Sequence, residues 1–231
     1  AAASKLLGLS EGQVQHALGH AASFGMGLTE CWHAGSLEWC VEVGMAARNG
    51  VLAAMLAQRD VPAAETAIEG NSGFLKAFVG TTEPAPTLGR DLGRTYEILN
   101  STFKLFPSGM GTQSPITAML NLLRKHPISS GDIDEIELRM HPYEAHYPGH
   151  AAQGPFATAD APLVSSPYCL AVACVEGRVT RRGLQRYNDP EVLALTRKVR
   201  VVADDRLAPL CCRVAVRTRD GARYEEAMDI T

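Results

Sequence analysis

The spacing of apolar positions changes character part-way along the chain. Residues 1–7 are alanine-rich and helical by propensity, and Gly8 stops that stretch. Ser10-Glu11-Gly12-Gln13 then reads as a capping box opening a helix that runs to about Ala22. A tight helix pair is expected. The next strong helix runs from about Trp39 to Gln58, with Val43, Ala47, Val51, Ala54 and Leu56 apolar and Gly44, Ala46, Gly50 and Ala53 small. So many small residues admit a close neighbour, which predicts a buried helix in an all-α layer. Between Val79 and Gly93 the sequence turns to Gly, Thr and Pro, including Glu83-Pro84-Ala85-Pro86. The domain boundary is placed there, dividing residues 1–88 from 89–231.

Beyond the boundary the period shortens. Ile133, Ile136, Leu138 and Met140 are interleaved with Glu135, Glu137, Arg139 and His141, the alternation of a strand with one wet face. A second strand is expected at Lys198–Ala203. A hairpin follows at Arg213–Ala227, turning at Arg219-Asp220-Gly221, where glycine supplies a positive φ. Helices are predicted at about Pro115–Arg124, Pro167–Glu176 and Pro190–Arg197. Strands with interspersed helices after a helical part give an α+β fold class.

Composition narrows the function. A 231-residue chain that is 46 % hydrophobic has enough apolar material for one large or two small packed domains. A net charge of −3 without a basic stripe, and an aromatic content of 6 %, argue against nucleic acid as a partner. No apolar run is expected to reach the roughly 20 residues of a membrane helix, and no signal peptide is evident at the start, so a soluble, cytoplasmic protein is expected. The six cysteines, Cys31, Cys40, Cys169, Cys174, Cys211 and Cys212, form no CxxC pair and suit buried thiols. The chain opens directly in helix-like sequence without a methionine, as a partial chain would.

The stretch from Ser101 to Ser114 is the best candidate for chemistry. Lys104 sits in an apolar run leading into a Pro/Gly/Ser loop and a helix, so a lysine charge and backbone N–H groups converge as a small carboxylate requires. The alternative is a surface lysine with a snorkelling stem. Thr112 and Gln113, in the loop, carry side chains able to bind a carboxylate or simply to cap the following helix. His141, His146 and His150 form a cluster whose Pro142, Pro148 and Gly149 break any helix that would align metal ligands. A loop at the sheet edge is the better reading, and no metal or cofactor is expected.

These residues also carry a resemblance. With Ala1-Ala2-Ala3-Ser4-Lys5-Leu6-Leu7-Gly8-Leu9, Gly44-Met45-Ala46-Ala47-Arg48-Asn49-Gly50-Val51, Glu69-Gly70-Asn71-Ser72-Gly73-Phe74-Leu75 and Ser166-Pro167-Tyr168-Cys169-Leu170-Ala171-Val172-Ala173, the chain resembles the MmgE/PrpD family. That family includes 2-methylcitrate dehydratase, cis-aconitate decarboxylase and iminodisuccinate epimerase. The resemblance implies a helical domain, partial here, followed by a smaller α+β lid domain, with the site between them. It implies a homodimer and an upstream helical segment that contributes an aspartate, a threonine and histidines; the expected location is cytoplasmic, with mitochondrial the alternative in a eukaryote.

The family's chemistry removes a proton next to a carboxylate, or loses water or carbon dioxide from a di- or tricarboxylate, without a cofactor. Lys104 matches the lysine of its Phe-Lys-x-Tyr/Phe-Pro motif, as a carboxylate clamp or proton carrier. Tyr168 stands where the family has a tyrosine near the substrate, to donate a hydrogen bond or proton; burial with an ordinary hydrogen bond is the rival. Trp39 and Glu42 fall where most relatives carry a lysine and a histidine, Ser108 where they often have histidine or cysteine, and Gln113 where histidine is frequent. Fewer cations and imidazoles imply a different, less highly charged acid as the substrate, or a site that no longer turns over. The expected function is therefore a cofactor-independent lyase or isomerase acting on a small di- or tricarboxylic acid, with Lys104 and Tyr168 catalytic and Trp39, Ser108, Thr112 and Gln113 binding substrate. The alternative is a non-catalytic homologue or fragment serving as a dimerisation or small-acid binding module.

Overall fold

The computed structural model describes residues 1–25, 27–83 and 89–229, apart from the side chain of Glu97. In chain order its helices and strands are α1 (Ala2–Leu6), α2 (Glu11–Ser23), α3 (Glu30–Ala34), α4 (Glu38–Gln58), α5 (Phe74–Val79), α6 (Gln113–Lys125), β1 (Ile133–Met140) and α7 (Pro142–Ala145). They continue with α8 (Ser166–Glu176), α9 (Arg181–Leu184), α10 (Pro190–Thr196), β2 (Val199–Ala203), β3 (Cys212–Thr218) and β4 (Arg223–Met228). The expected α+β class is what the chain adopts, with its sheet confined to the later part. Residues 1–28 with 38–101 form one compact unit, and 29–37 with 102–231 form the other. The expected breaker Glu83-Pro84-Ala85-Pro86 lies, from Pro84 on, outside the described residues.

In the first unit α2 opens on the expected capping box: the Ser10 hydroxyl accepts from Gln13 N–H, and the Gln13 side chain accepts from Ser10 N–H. One face of α2 then holds the chain that follows α4. Gln13 Nε2 donates to Asp60 Oδ1 at 2.9 Å, Ala63 N–H donates to His16 Nδ1 at 3.2 Å, and His20 Nε2 lies 3.0 Å from the Val61 carbonyl. Gly19 makes this approach possible, since a Cβ there would sit 2.8 Å from Ala63 Cβ. His16 and His20 are thus structural.

α4 corrects two expectations. It packs mainly on α1 and α2 and buries only Asn49, Ala53, Ala54 and Ala57, while Val43 (66 % exposed), Val51 (50 %) and Met55 (51 %) face outward. Its small residues thus line two faces, of which the described residues cover one. By length and composition, at a mean hydropathy of 1.3, α4 also reaches the threshold for a membrane-crossing helix, because alanine and valine raise the mean despite Glu42 and Arg48. Length and composition alone do not make a span, since the core helix of a soluble protein passes the same test.

The second unit is built on a four-stranded sheet in the order β2-β1-β3-β4, with β1 and β2 parallel and the other neighbours antiparallel. The β3–β4 turn is the predicted one: Gly221 has φ +89°, and Asp220 Oδ1 accepts from the Thr218 hydroxyl and Ala222 N–H. Helix α6 packs on β3 and β4, and α8 packs on β2, α6 and α10. Ile116, Met119, Leu122, Ile136, Leu138, Leu170, Val172, Val192, Val214 and Val216 form the core between helices and sheet. α8 is buried nearly all round, which its run Tyr168–Cys174 of apolar residues requires.

The opposite face of β1 is polar but not simply wet. Glu137 is buried beneath guanidinium groups: Arg139 Nε donates to its Oε1 at 2.6 Å, Arg200 donates to Oε2, and Arg223 approaches to 4.0 Å. Burial pushes its carboxyl pKa up, yet the bond to Arg139 and the charges of Arg139 and Arg200 hold it below the ordinary value. The alternation located this strand correctly but could not reveal that its polar face is roofed by arginines from β2 and β4.

Candidate active site

The stretch after Ser101 reaches its site through one side chain. Phe103 (94 % exposed), Lys104 and Leu105 (77 % exposed) are all turned to solvent, so the apolar neighbours do not enclose the lysine. Among the described residues Lys104 makes no ion pair. Immediately beyond it the backbone is gripped by Gln113, the first residue of α6. Gln113 Oε1 accepts from Leu105 N–H and Phe106 N–H, both at 3.0 Å. Its Nε2 faces the carbonyls of Phe106 (3.1 Å) and Gly109 (3.0 Å) and the Ser108 hydroxyl (3.1 Å).

The hydroxyls complete a directed chain. Thr112 Oγ1 donates to the Gly109 carbonyl at 2.8 Å, so its single proton is committed and Ser108 must be the donor in their 2.7 Å contact. Protons therefore run from Gln113 to Ser108 to Thr112 to Gly109, and Gly109 N–H closes the loop on Leu163 by donating to its carbonyl at 2.7 Å. Ser108 and Thr112 are buried. The structure thus brings Ser108, Thr112 and Gln113 together, with their polar groups spent on shaping the loop that carries Lys104. Neither Thr112 nor Gln113 is a side-chain N-cap. The convergence of free N–H groups is thinner than the pattern suggested, because Gln113 N–H is bonded to Met110 and Pro115 has none to offer.

Residues 1–87 match the MmgE/PrpD N-terminal domain and residues 106–230 the MmgE/PrpD C-terminal domain. The chain belongs to the MmgE/PrpD family. It is 27 % identical over 213 residues to cis-aconitate decarboxylase of Aspergillus terreus, an alignment covering 86 % of this chain and 43 % of that protein. The cis-aconitate decarboxylase of A. terreus strain NIH 2624 / FGSC A1156 gives the same figures. The chain thus spans less than half the length of the curated relatives it matches. Lys104 lies two residues ahead of the match to the C-terminal domain.

Within that MmgE/PrpD C-terminal region the loop rests on His150, which the sequence offers only as one of a histidine cluster. A Cβ at Gly111 would overlap the ring of His150, whose Nδ1 would be 3.0 Å away, so only glycine lets the loop lie against this imidazole. His150 is buried, with Nδ1 2.9 Å from the Glu144 carbonyl. Burial lowers its pKa, outweighing the Glu144 carbonyl and charge, and the neutral ring holds its proton on Nδ1. Cys169 Sγ points to the Pro162 carbonyl at 3.8 Å, and burial pushes its thiol up to about 12, so it stays protonated. Five cysteines are buried as expected; Cys40 is exposed. The other histidines of the cluster serve the backbone: His141 Nδ1 accepts from Tyr143 N–H and His146 ends α7.

Tyr168 takes the second of its two expected geometries. It is fully buried, its ring edge-on to Phe156, and its hydroxyl donates to the Leu184 carbonyl at 3.2 Å. Burial pushes the phenol pKa well above its ordinary value, so the proton is retained there. Trp39 is half-buried on α4 in the first unit. In the same unit Glu42 Oε1 accepts from Leu28 N–H at 3.1 Å.

Proposed function

We propose that this chain is the part of an MmgE/PrpD lyase that holds a small di- or tricarboxylic acid by Lys104, in a reaction related to the decarboxylation of cis-aconitate. The observation that carries the proposal is an exposed lysine on a loop whose backbone is fixed by Gln113, Ser108 and Thr112, in a chain belonging to this family. Loss of carbon dioxide breaks a carbon–carbon bond and leaves its electron pair on carbon, spread towards a neighbouring carboxylate, after which a proton must be delivered. A cation beside that carboxylate stabilises the developing charge more than the resting substrate. Dehydration and epimerisation, which begin with proton removal next to a carboxylate, need the same cation. Tyr168, held at Leu184, acts in this reading by supporting α8, and Trp39 and Glu42 belong to the part contributed by the first unit. We read the protein as a cytoplasmic homodimer acting without metal or organic cofactor, and the exposed apolar residues of α4 are compatible with association.

The test is proton NMR of the full-length protein with cis-aconitate and a panel of hydroxy, unsaturated and amino dicarboxylates. Turnover of at least one acid, reduced about 100-fold by Lys104→Ala, is expected from the usual worth of a positioned proton-transfer or charge-stabilising group. No turnover of any acid, or Lys104→Ala within threefold of wild type, overturns the proposal. The second reading, a small-acid binding module without turnover, is favoured by Glu42 and Gln113, whose side chains are occupied in holding backbone where imidazoles were expected. Binding of an acid without its conversion would select it.

A further inference from the structure

The second unit carries a basic cleft well away in sequence from the Lys104 loop. A cavity of about 570 Å³ is lined by Glu176, Arg178, Thr180, Arg182 and Arg186. Residues 178–186 hold four arginines and no acid, in a chain of net charge −3. A run of charge is ordinarily a solvated surface, but three features set this one apart.

The first is that three of the arginines, Arg178, Arg182 and Arg186, line a concavity of the size that small ligands occupy. The second is the division of labour among them. Arg186 is consumed: Nη1 donates to Glu176 Oε1 at 3.1 Å, and Nη2 and Nε donate to Asp189 Oδ2 at 2.5 and 3.1 Å. One guanidinium thus serves two carboxylates, so Glu176 is paired and held in place while the trio keeps a net charge of −1. Among the described residues Arg178 and Arg182 have no carboxylate partner, so the wall keeps two uncompensated guanidinium groups. The third is that the backbone is shaped for this arrangement. Glu176 lies across α9, and a Cβ at Gly183 would sit 2.6 Å from its Oε2. Thr180 Oγ1 accepts from Gly183 N–H at 3.1 Å, leaving the hydroxyl proton free to donate into the cleft. Tyr168 ties α9 to α8 through its bond to the Leu184 carbonyl.

We infer that this cleft binds a compact multivalent oxyanion, with Arg178 and Arg182 as its charged clamp and Thr180 as a neutral donor. Paired guanidinium groups suit phosphoryl and carboxylate oxygens alike, since both present parallel acceptors to the guanidinium fork. The Arg186–Glu176–Asp189 group holds the Glu176 carboxylate to Arg186 and gives the site rigidity. The site is independent of the proposed reaction and would be present in a non-catalytic homologue.

The experiment is isothermal titration calorimetry of the full chain with tripolyphosphate and, separately, with citrate, at constant ionic strength set by sodium chloride. Saturable one-to-one binding of either probe is expected, weakened at least about tenfold in Arg178→Ala/Arg182→Ala and little changed in the control Arg213→Ala, whose side chain is exposed on the sheet. Binding of tripolyphosphate alone assigns phosphoryl ligands, and of citrate alone carboxylates. Arg178→Lys/Arg182→Lys, which keeps the charge but not the fork, should recover only part of the affinity. Circular dichroism of each variant confirms that it folds. Absence of saturable binding in wild type, or an equal loss in Arg213→Ala, would overturn the assignment.

Discussion

Replacing Gln113 by alanine should loosen the Lys104 loop more than any other single change in it. The side chain accepts two backbone N–H bonds and faces three acceptors with the two protons of its Nε2, so about four bonds are at stake. At a net 0.5–1.5 kcal/mol each, and allowing for water replacing those on the exposed side, the loss is about 2–3 kcal/mol. For a unit of this size that lowers the unfolding midpoint by about 5–10 °C. Gln113→Glu is the sharper variant. A carboxylate keeps the bonds from Leu105 and Phe106 but turns an acceptor towards the carbonyls of Phe106 and Gly109, so it should be no better than alanine at neutral pH. The assays are urea unfolding and amide hydrogen exchange at Leu105 and Phe106, whose protection should be lost. Unchanged exchange in Gln113→Ala, or a Gln113→Glu variant as stable as wild type, would refute the clamp.

Other outcomes follow from the same geometry. Gly111→Ala should cost about 1–3 kcal/mol by driving a methyl group into His150, and the penalty should shrink in a His150→Ala background, which urea unfolding of the double-mutant cycle would measure. Tyr168→Phe should lose about 1 kcal/mol of stability with turnover within a few-fold of wild type; abolished turnover at unchanged stability would return the phenol to the chemistry. Asp204 is held at about 2, below its ordinary 3.8, chiefly by its bond to Arg206. A carboxyl depressed in the folded state favours folding above its unfolded value, a contribution lost as pH falls from about 4 towards 2. The midpoint of Asp204→Asn should accordingly fall less steeply than that of wild type over this window, and parallel slopes would contradict the pairing.

How much of this was legible beforehand depends on whether a feature is local. The capping box at Ser10, the Asp220-Gly221 turn and the alternation from Ile133 to Met140 each depend on neighbours in sequence, and each is found where expected. The burial of α4 was misjudged because small residues state that a partner can approach, not that one is present. Glu137 looked solvated because its cover comes from Arg200 and Arg223, on other strands. In the candidate site Lys104 and its loop could be picked out, but not the use of Ser108, Thr112 and Gln113. Their donors looked available for a ligand until the fold brought four backbone groups and one another within reach. His150 was visible only as one member of a histidine cluster; its contact with Gly111 spans a long chain separation that no local pattern encodes. The arginines of 178–186 were overlooked because whole-chain charge conceals a local run.

The most direct test of the Lys104 site is ligand-induced stabilisation of the full-length protein by a panel of small di- and tricarboxylates. At 100 times its dissociation constant, an acid bound only by the folded state adds about 2.7 kcal/mol, or about 2–5 °C in midpoint for a protein longer than this chain. We predict such a shift for at least one acid, removed by Lys104→Ala and kept in part by Lys104→Arg. A shift of equal size in Lys104→Ala, or none with any acid in the wild type, would contradict a carboxylate site built on this lysine.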